Sequence, residues 1–363
     1  MDALSDTAIA GLIGLVGGIM LGLAAQIGRF CTLGALEDAL YASDWRRARM
    51  WALALSLAIA GVFALQSFGA FDPRKTVYAR TVWDPTGGIV GGLMFGYGMA
   101  IAGNCGYGAL ARAAGGEMRS LVVVMVMGLS AYAVLAGPLA PIRVALLPVD
   151  RVEPEQAQAG LAHLLGDSLG ASPVVIALLI AAGIAAWALA APDFRRSFRY
   201  LGWSAIVAAA IVLGWAGTSH LAETGFAATP VESHSFTAPI GETMLYIMTS
   251  GGEAAGFSVG SVSGVLLGAF IGAVLQGGFR WEACDDPREL GRQILGGALM
   301  GVGGVLALGC SVGQGLTAFS TLATSGPVTL AAIALGGTIG LRQLIHGSGL
   351  PILEMFRSRA KGD

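Results

Sequence analysis

Residues 89–108 read IVGGLMFGYGMAIAGNCGYG, and 205 positions further on, at 294–313, the chain reads ILGGALMGVGGVLALGCSVG. Eight of those twenty positions are identical: Ile89 with Ile294, Gly91 with Gly296, Gly92 with Gly297, Gly96 with Gly301, Gly98 with Gly303, Ala102 with Ala307, Cys105 with Cys310 and Gly108 with Gly313. The same offset pairs Thr32, Glu37, Leu40 and Tyr41 with Thr237, Glu242, Leu245 and Tyr246. A shared register over such distant segments points to one unit used twice. Each copy is an apolar run that ends on glycine and then on cysteine, where a helix has to break.

The solvent of that unit follows from composition. Hydrophobic residues make up 55% of the 363 residues and charged ones only 12%, with a mean hydropathy of +0.71. A soluble domain carries about twice that share of charge. The 56 glycines, about twice the usual ~7%, come without a collagen period or a polar, disordered composition. In lipid they mean close helix crossings and interrupted helices.

Nine apolar stretches approach the ~20 residues a helix needs to cross the hydrocarbon: Ala8 to Ile27, Met50 to Phe68, Gly87 to Gly103, Leu121 to Leu139, Pro173 to Ala191, Leu201 to Gly217, Phe257 to Gly278, Ile294 to Gly309 and Val328 to Ile345. Runs such as Leu121 to Met127 do not alternate as barrel strands must. The expected fold is an all-α polytopic membrane protein with about nine spans plus half-helices. The repeats of the opening lie on the third and eighth spans, five crossings apart, so they run in opposite directions. That is an inverted-topology repeat, a design typical of secondary transporters. The chain divides into a first repeat at 1–140, an external linker and central span at 141–199, a second repeat at 200–345 and a cytosolic tail at 346–363.

Alternate loops carry unequal charge. One side holds fifteen Lys and Arg, including Arg29, Arg46, Arg47, Arg112, Arg199 and Arg280, and the other five, Arg74, Lys75, Arg80, Arg143 and Arg151. The positive-inside rule places the N-terminus outside and the C-terminus in the cytosol. The first span has only Asp2 and Asp6 before it, so it lacks the basic region of a cleaved signal and is expected to stay. A net charge of −2 and no basic cluster give no sign of nucleic acid.

In inverted repeats the binding site lies near the midplane, where broken helices meet. Three breaks carry a thiol: Gly28-Arg29-Phe30-Cys31-Thr32, Gly103-Asn104-Cys105-Gly106-Tyr107-Gly108 and Gly309-Cys310-Ser311-Val312-Gly313-Gln314. Asn104 and Ser311 are cap-type residues ahead of a second helical stretch. Irregular backbone survives in a bilayer only inside protein or beside a wet cavity, so these segments face the interior. A single membrane cysteine is usually a small packing hydrophobe; two at repeat-equivalent breaks argue for a role. Cys31 has Phe236 as its counterpart and breaks the symmetry, as a thiol at the cytosolic exit would. Cys284 lies in a basic loop and reads as a spare surface thiol. No C-x-x-C and no histidine at ligand spacing favours dithiol or zinc chemistry. His163, His220, His234 and His346 read as solvated or capping residues, and Gly91-Gly92-Leu93-Met94-Phe95-Gly96 as a small-residue packing face. Phosphate and dinucleotide fingerprints are missing, and no cofactor is implied.

The strings GRFCTLGAL, GNCGYGALAR and ALGCSVGQGLTAFSTLATSG, with the Phe279-Arg280-Trp281-Glu282 loop, resemble the signature segments of the YeeE/YedE family. The resemblance covers roughly 8–140 and 200–345. It implies a bacterial inner-membrane transporter of thiosulfate, not an enzyme, with partial-depth helices from both faces and thiols at three levels of the path. By motif those are Cys31, Cys105 and Cys310, flanked by Asn104, Gly106, Ser311 and Gln314. It also implies a small cytosolic sulfurtransferase of the TusA type as partner. The long segment from Ala140 to Ser172, with Glu153-Pro154-Glu155, departs from the pattern and reads as an external loop. The rival readings are transport of another sulfur or selenium species, a membrane thiol sulfurtransferase and a non-transporting scaffold subunit.

Overall fold

A computed structural model describes residues 5–147, 152, 160–225, 229–250, 252, 254–283 and 286–346. Cys284, Glu153-Pro154-Glu155 and most of the tail at 346–363 lie outside the described residues. The first repeat comprises α1 (Asp6–Gln26), α2 (Thr32–Tyr41), α3 (Arg46–Ser67), the short α4 (Val77–Arg80), α5 (Pro85–Ala102), α6 (Gly106–Ala114) and α7 (Met118–Leu135). A central segment follows with α8 (Ala140–Leu146), α9 (Leu161–Leu169), α10 (Pro173–Leu189) and α11 (Pro192–Arg195). The second repeat has α12 (Phe198–Thr224), α13 (Ala238–Thr249), α14 (Phe257–Leu275), α15 (Pro287–Leu306), a short helical stretch at 311–320 and α16 (Ser325–His346).

With the four-residue α4 set aside, the order long, short, long, long, short, long occurs in both halves. The same local chemistry starts matching elements. Asp84 caps α5 by accepting from Thr86 N and Gly87 N, with Pro85 at the first helical position. Asp286 caps α15 by accepting from Arg288 N, with Pro287 behind it. An aspartate cap satisfies orphan N–H groups, and proline is pre-set for the first turn.

Each of the nine expected spans is helical. Among the described residues seven helices are long and apolar enough to cross a membrane, with α5 and α6 counted as one. Two expected spans fall outside that group. α10 has 17 residues and meets α9 at a bend of 114°, and α15 carries Arg288, Glu289 and Arg292 in its first turns. The linker expected as a loop therefore holds helix at α8 and α9.

Glycine sets the packing. On α1, Gly11, Gly14, Gly18 and Gly22 meet, in that order, Ala255, Phe257, Ser261 and Val265, so α1 and α14 run parallel with their backbones in contact. From the other side Gly260, Gly264 and Gly268 of α14 face Gly11, Leu15 and Ile19. A methyl group on Gly18 would overlap the Ser261 carbonyl, and one on Gly264 the Leu15 carbonyl. Small residues four apart allow this approach. The third and eighth expected spans pack on each other as α5 and α15: Gly98 touches Gly296 and Gly91 touches Gly303. The two helices are therefore antiparallel, the relation an inverted repeat requires. Gly92 and Gly96 take α16 on a neighbouring side, against Thr329 and Ile333. Large apolar side chains such as Leu129 and Leu179 point outward, as lipid-facing positions do.

Candidate functional site

The helix breaks put sulfur at the same structural position three times. Cys31 is the residue before α2 and Cys105 the residue before α6, each in extended conformation; Cys310 directly precedes the helical stretch 311–320. Gly108 N donates to Cys105 Sγ at 3.4 Å, and Gly313 N donates to Cys310 Sγ at 3.3 Å. The two bonds are equivalent under the repeat. The thiols themselves are thus the caps, where Asn104 and Ser311 were expected. The exchange is one of register: α6 starts one residue later than a cap at Asn104 would place it, and the 311–320 stretch one residue earlier than a cap at Ser311 would, so in both the sulfur falls where an N-cap oxygen normally sits.

The backbone before the thiols is bent alike. Gly103 has φ +78°, and its repeat counterpart Leu308 has φ +57°. Left-handed geometry is free for glycine but costs a leucine roughly 1–2 kcal/mol, and Gly309 next to it takes φ +154°. Beyond Cys310 the helix widens into a π turn over Gly313–Ala318, a feature found mostly at functional sites.

The four half-helix starts converge. The sulfurs of Cys105 and Cys31 both border Gly108, 3.7 and 3.8 Å from where its Cβ would lie. Phe236 N donates to Cys310 Sγ at 3.3 Å, and Ser235 Oγ lies 3.9 Å from the same sulfur. The Phe236 ring stacks on Tyr107 with centroids 5.3 Å apart, and the Tyr107 hydroxyl is held by the Leu21 carbonyl. Each helix start offers unpaired N–H groups and about half a positive charge, so four of them facing one region favour an anion there.

Two cavities approach this region from opposite ends of α3 and α5. One, of about 200 Å³, is lined by Cys31, Glu37, Arg29, Arg47 and Arg112. The other, of about 550 Å³, is lined by Tyr78, Arg143, Glu232, Ser235, Glu242 and Gly309. Cys31 is partly exposed, whereas Cys105 and Cys310 are buried, as are the stacked Tyr107 and Phe236.

The remaining sequence-derived residues are placed as follows. Gly106 sits at the first position of α6, against Met127. Asn104 turns away, its Nδ2 donating to Ser120 Oγ at 3.3 Å. Gln314 Nε2 donates to the carbonyls of Ala307 (2.9 Å) and Leu308 (3.1 Å), tying the π turn to the end of α15. Ser311 Oγ, Gln314 Oε1 and Asn104 Oδ1 are buried with no hydrogen-bond partner among the described residues. His234, expected as solvated or capping, is instead fully buried, with Nδ1 2.7 Å from Ser261 Oγ and its ring against Gly17. It wedges the second-repeat crossover onto α1 and α14. Sequence reasoning missed Tyr107, Ser235 and the cavity carboxylate Glu232; only the position of Ser235 beside Phe236, the counterpart of Cys31, could have signalled one of them.

The family model described as Sulphur transport matches residues 27–339. The thiosulfate transporter TsuA of Spirochaeta thermophila is 26% identical over 326 residues, which cover 86% of this chain and 92% of that protein. The thiosulfate transporter TsuA of Escherichia coli K12 is 27% identical over 346 residues, covering 90% and 92%.

Proposed function

The chain belongs to the sulphur-transport family, and from that premise we propose that this multi-pass sulfur transporter takes up thiosulfate along a path marked by Cys310, Cys105 and Cys31. What supports the reading is that the three cysteines directly precede short helical stretches, with Cys31 in the wall of one cavity and Gly309, next to Cys310, in the wall of another.

Thiosulfate is a dianion with a soft terminal sulfur. Thiols donate weak S–H hydrogen bonds, and weak sites in series let an ion pass that a buried guanidinium would retain. The half-helix starts supply the compensating charge without a fixed cation. In this scheme the ion reaches Cys310 from the Glu232 cavity, passes the Phe236 and Tyr107 rings when they part, is received by Cys105, and leaves by Cys31 into the cavity of Arg29, Arg47 and Arg112. Ser311 Oγ and Gln314 Oε1 serve as further polar contacts, with Gly106 leaving room for close approach. Asn104 acts through α7 by holding the turn before Cys105.

The arginine-rich cavity is assigned to the cytosol of a bacterial inner membrane, which puts the N-terminus outside and the C-terminus inside. Cys31, half-exposed there, is where a small sulfurtransferase of the TusA type would collect the ion. Uptake of labelled thiosulfate by proteoliposomes tests the path: Cys105→Ala and Cys310→Ala should each lose it, and unchanged uptake in both would remove the relay. Competition with sulfate, sulfite and selenium oxyanions in the same assay defines the substrate.

A further inference from the structure

The repeat places one carboxylate in each cavity. Glu37 and Glu242 are equivalent at the offset of 205; Glu37 lines the cavity of Cys31 and Glu242 the opposite one. Their surroundings differ in sign. Three arginines, Arg29, Arg47 and Arg112, face Glu37, whereas Glu242 faces a second carboxylate, Glu232, and one arginine, Arg143. A cavity with two glutamates against one arginine is a poor mouth for a dianion unless something neutralises it.

Glu232 is built to be that point. It lies in the loop between α12 and α13, outside the spanning helices, and both its peptide groups are pinned by Thr218, whose hydroxyl donates to Glu232 O at 2.7 Å and accepts from Glu232 N at 3.2 Å. Its enclosed carboxyl makes no ion pair among the described residues and lines the cavity. The charged groups around it are engaged elsewhere: Arg143 Nε donates to Val134 O at 3.1 Å, Lys75 pairs with Glu223 at 2.9 Å, and Arg80 Nε donates to Val152 O. Glu242 on α13 repels it, Tyr78 on α4 lies beside it in the cavity wall, and His234 is turned to Ser261. Desolvation first and Glu242 second push the Glu232 carboxyl up to about 8.

Resting on the transport reading above, we propose that Glu232 is a proton-binding site of the transport cycle, and that thiosulfate occupies this cavity together with a proton on Glu232. The proton removes one of the two repelling charges at the mouth. Carried through with the ion and released from Glu232 on the other side, the proton would also lower the net charge moved per cycle from −2 to −1.

The test has two arms in reconstituted full-length protein. Without thiosulfate, infrared difference spectra should show a carboxyl band titrating near pH 8 that Glu232→Gln abolishes; a Glu232 ionised down to pH 5 would overturn the proposal whatever the transported ion. With thiosulfate, wild-type uptake should fall about tenfold per unit as external pH rises beyond that point. Glu232→Gln should flatten the profile, and Glu242→Gln should move the fall to lower pH. A wild-type pH profile retained in Glu232→Gln, or a flat wild-type profile with uptake that follows Na⁺ instead, would overturn it. Should the wild type take up no thiosulfate at any pH while the infrared band titrates, the substrate reading fails and the proton site stands.

Discussion

The backbone N–H of Phe236 donates to the Sγ of Cys310 at 3.3 Å, and Phe236 is the residue that the repeat pairs with Cys31. In the first half a thiol meets the capping thiol; in the second a backbone amide meets it and an aromatic ring takes the space. The two halves share a backbone plan but not a chemistry: the first places a sulfur in a cavity wall, the second a buried ring stacked on Tyr107.

Replacing Phe236 by leucine should open the central closure. The ring stacks on Tyr107 and is fully buried, so in the proposed path its loss leaves space beside Tyr107 and Cys310. Proteoliposomes with Phe236→Leu should leak small anions such as iodide at several times the wild-type rate, read by quenching of an enclosed dye, while thiosulfate saturation weakens. An unchanged iodide leak would place the closure elsewhere.

The caps separate stability from transport. Serine accepts an amide N–H as an N-cap and alanine does not, a difference of typically ~1 kcal/mol. Cys310→Ser should therefore melt close to the wild type in detergent and Cys310→Ala a few degrees lower, because Gly313 N and Phe236 N lose their acceptor. Both should lose most uptake, since neither supplies a soft thiol. Full uptake by Cys310→Ser would reduce the sulfur to a cap.

Glycine positions should split sharply by contact. Gly18→Leu and Gly264→Leu drive side chains into facing backbone and should destabilise by about 3 kcal/mol or more, seen as loss of monodisperse protein on size exclusion. Gly183→Ala on α10 has open space around it and should gain roughly 0.5–1 kcal/mol from helix propensity. Equal melting temperatures across the three would contradict the backbone contact of α1 with α14.

Thiol labelling reads sidedness. Cys31 is partly exposed in the arginine-rich cavity, and Cys105 and Cys310 are buried. In a Cys284→Ser background, a membrane-impermeant maleimide should label inside-out vesicles at Cys31 and leave right-side-out vesicles nearly unlabelled. Labelling only from the outside would invert the assigned topology.

Most of the fold was legible because bilayer physics writes it in long runs. Each of the nine apolar stretches is helical, and the repeat of Gly91, Gly98, Gly296 and Gly303 marked the antiparallel pair before any coordinates. Boundaries were less legible where polar turns extend a helix: α15 starts at Pro287, seven residues before its apolar run, because Asp286 caps it. The bend between α9 and α10 left no mark in hydropathy. At the site the three cysteines were legible as breaks, but the capping atom was not, since sequence preference favours Asn104 and Ser311 over sulfur. Glu232 was invisible because its character comes from Thr218, Glu242 and the cavity wall, which only the fold assembles.

The central claim is that thiols at the half-helix starts handle the ion itself. Selenosulfate, with selenium in place of the terminal sulfur, makes that visible by anomalous scattering in crystals of the protein soaked with it. The account predicts a selenium peak within about 4 Å of Cys310 Sγ or Cys105 Sγ, beside the start of α6 or of 311–320, and its loss in Cys105→Ala together with Cys310→Ala. A selenium peak bound remote from both sulfurs, in protein that transports the ion, would contradict it.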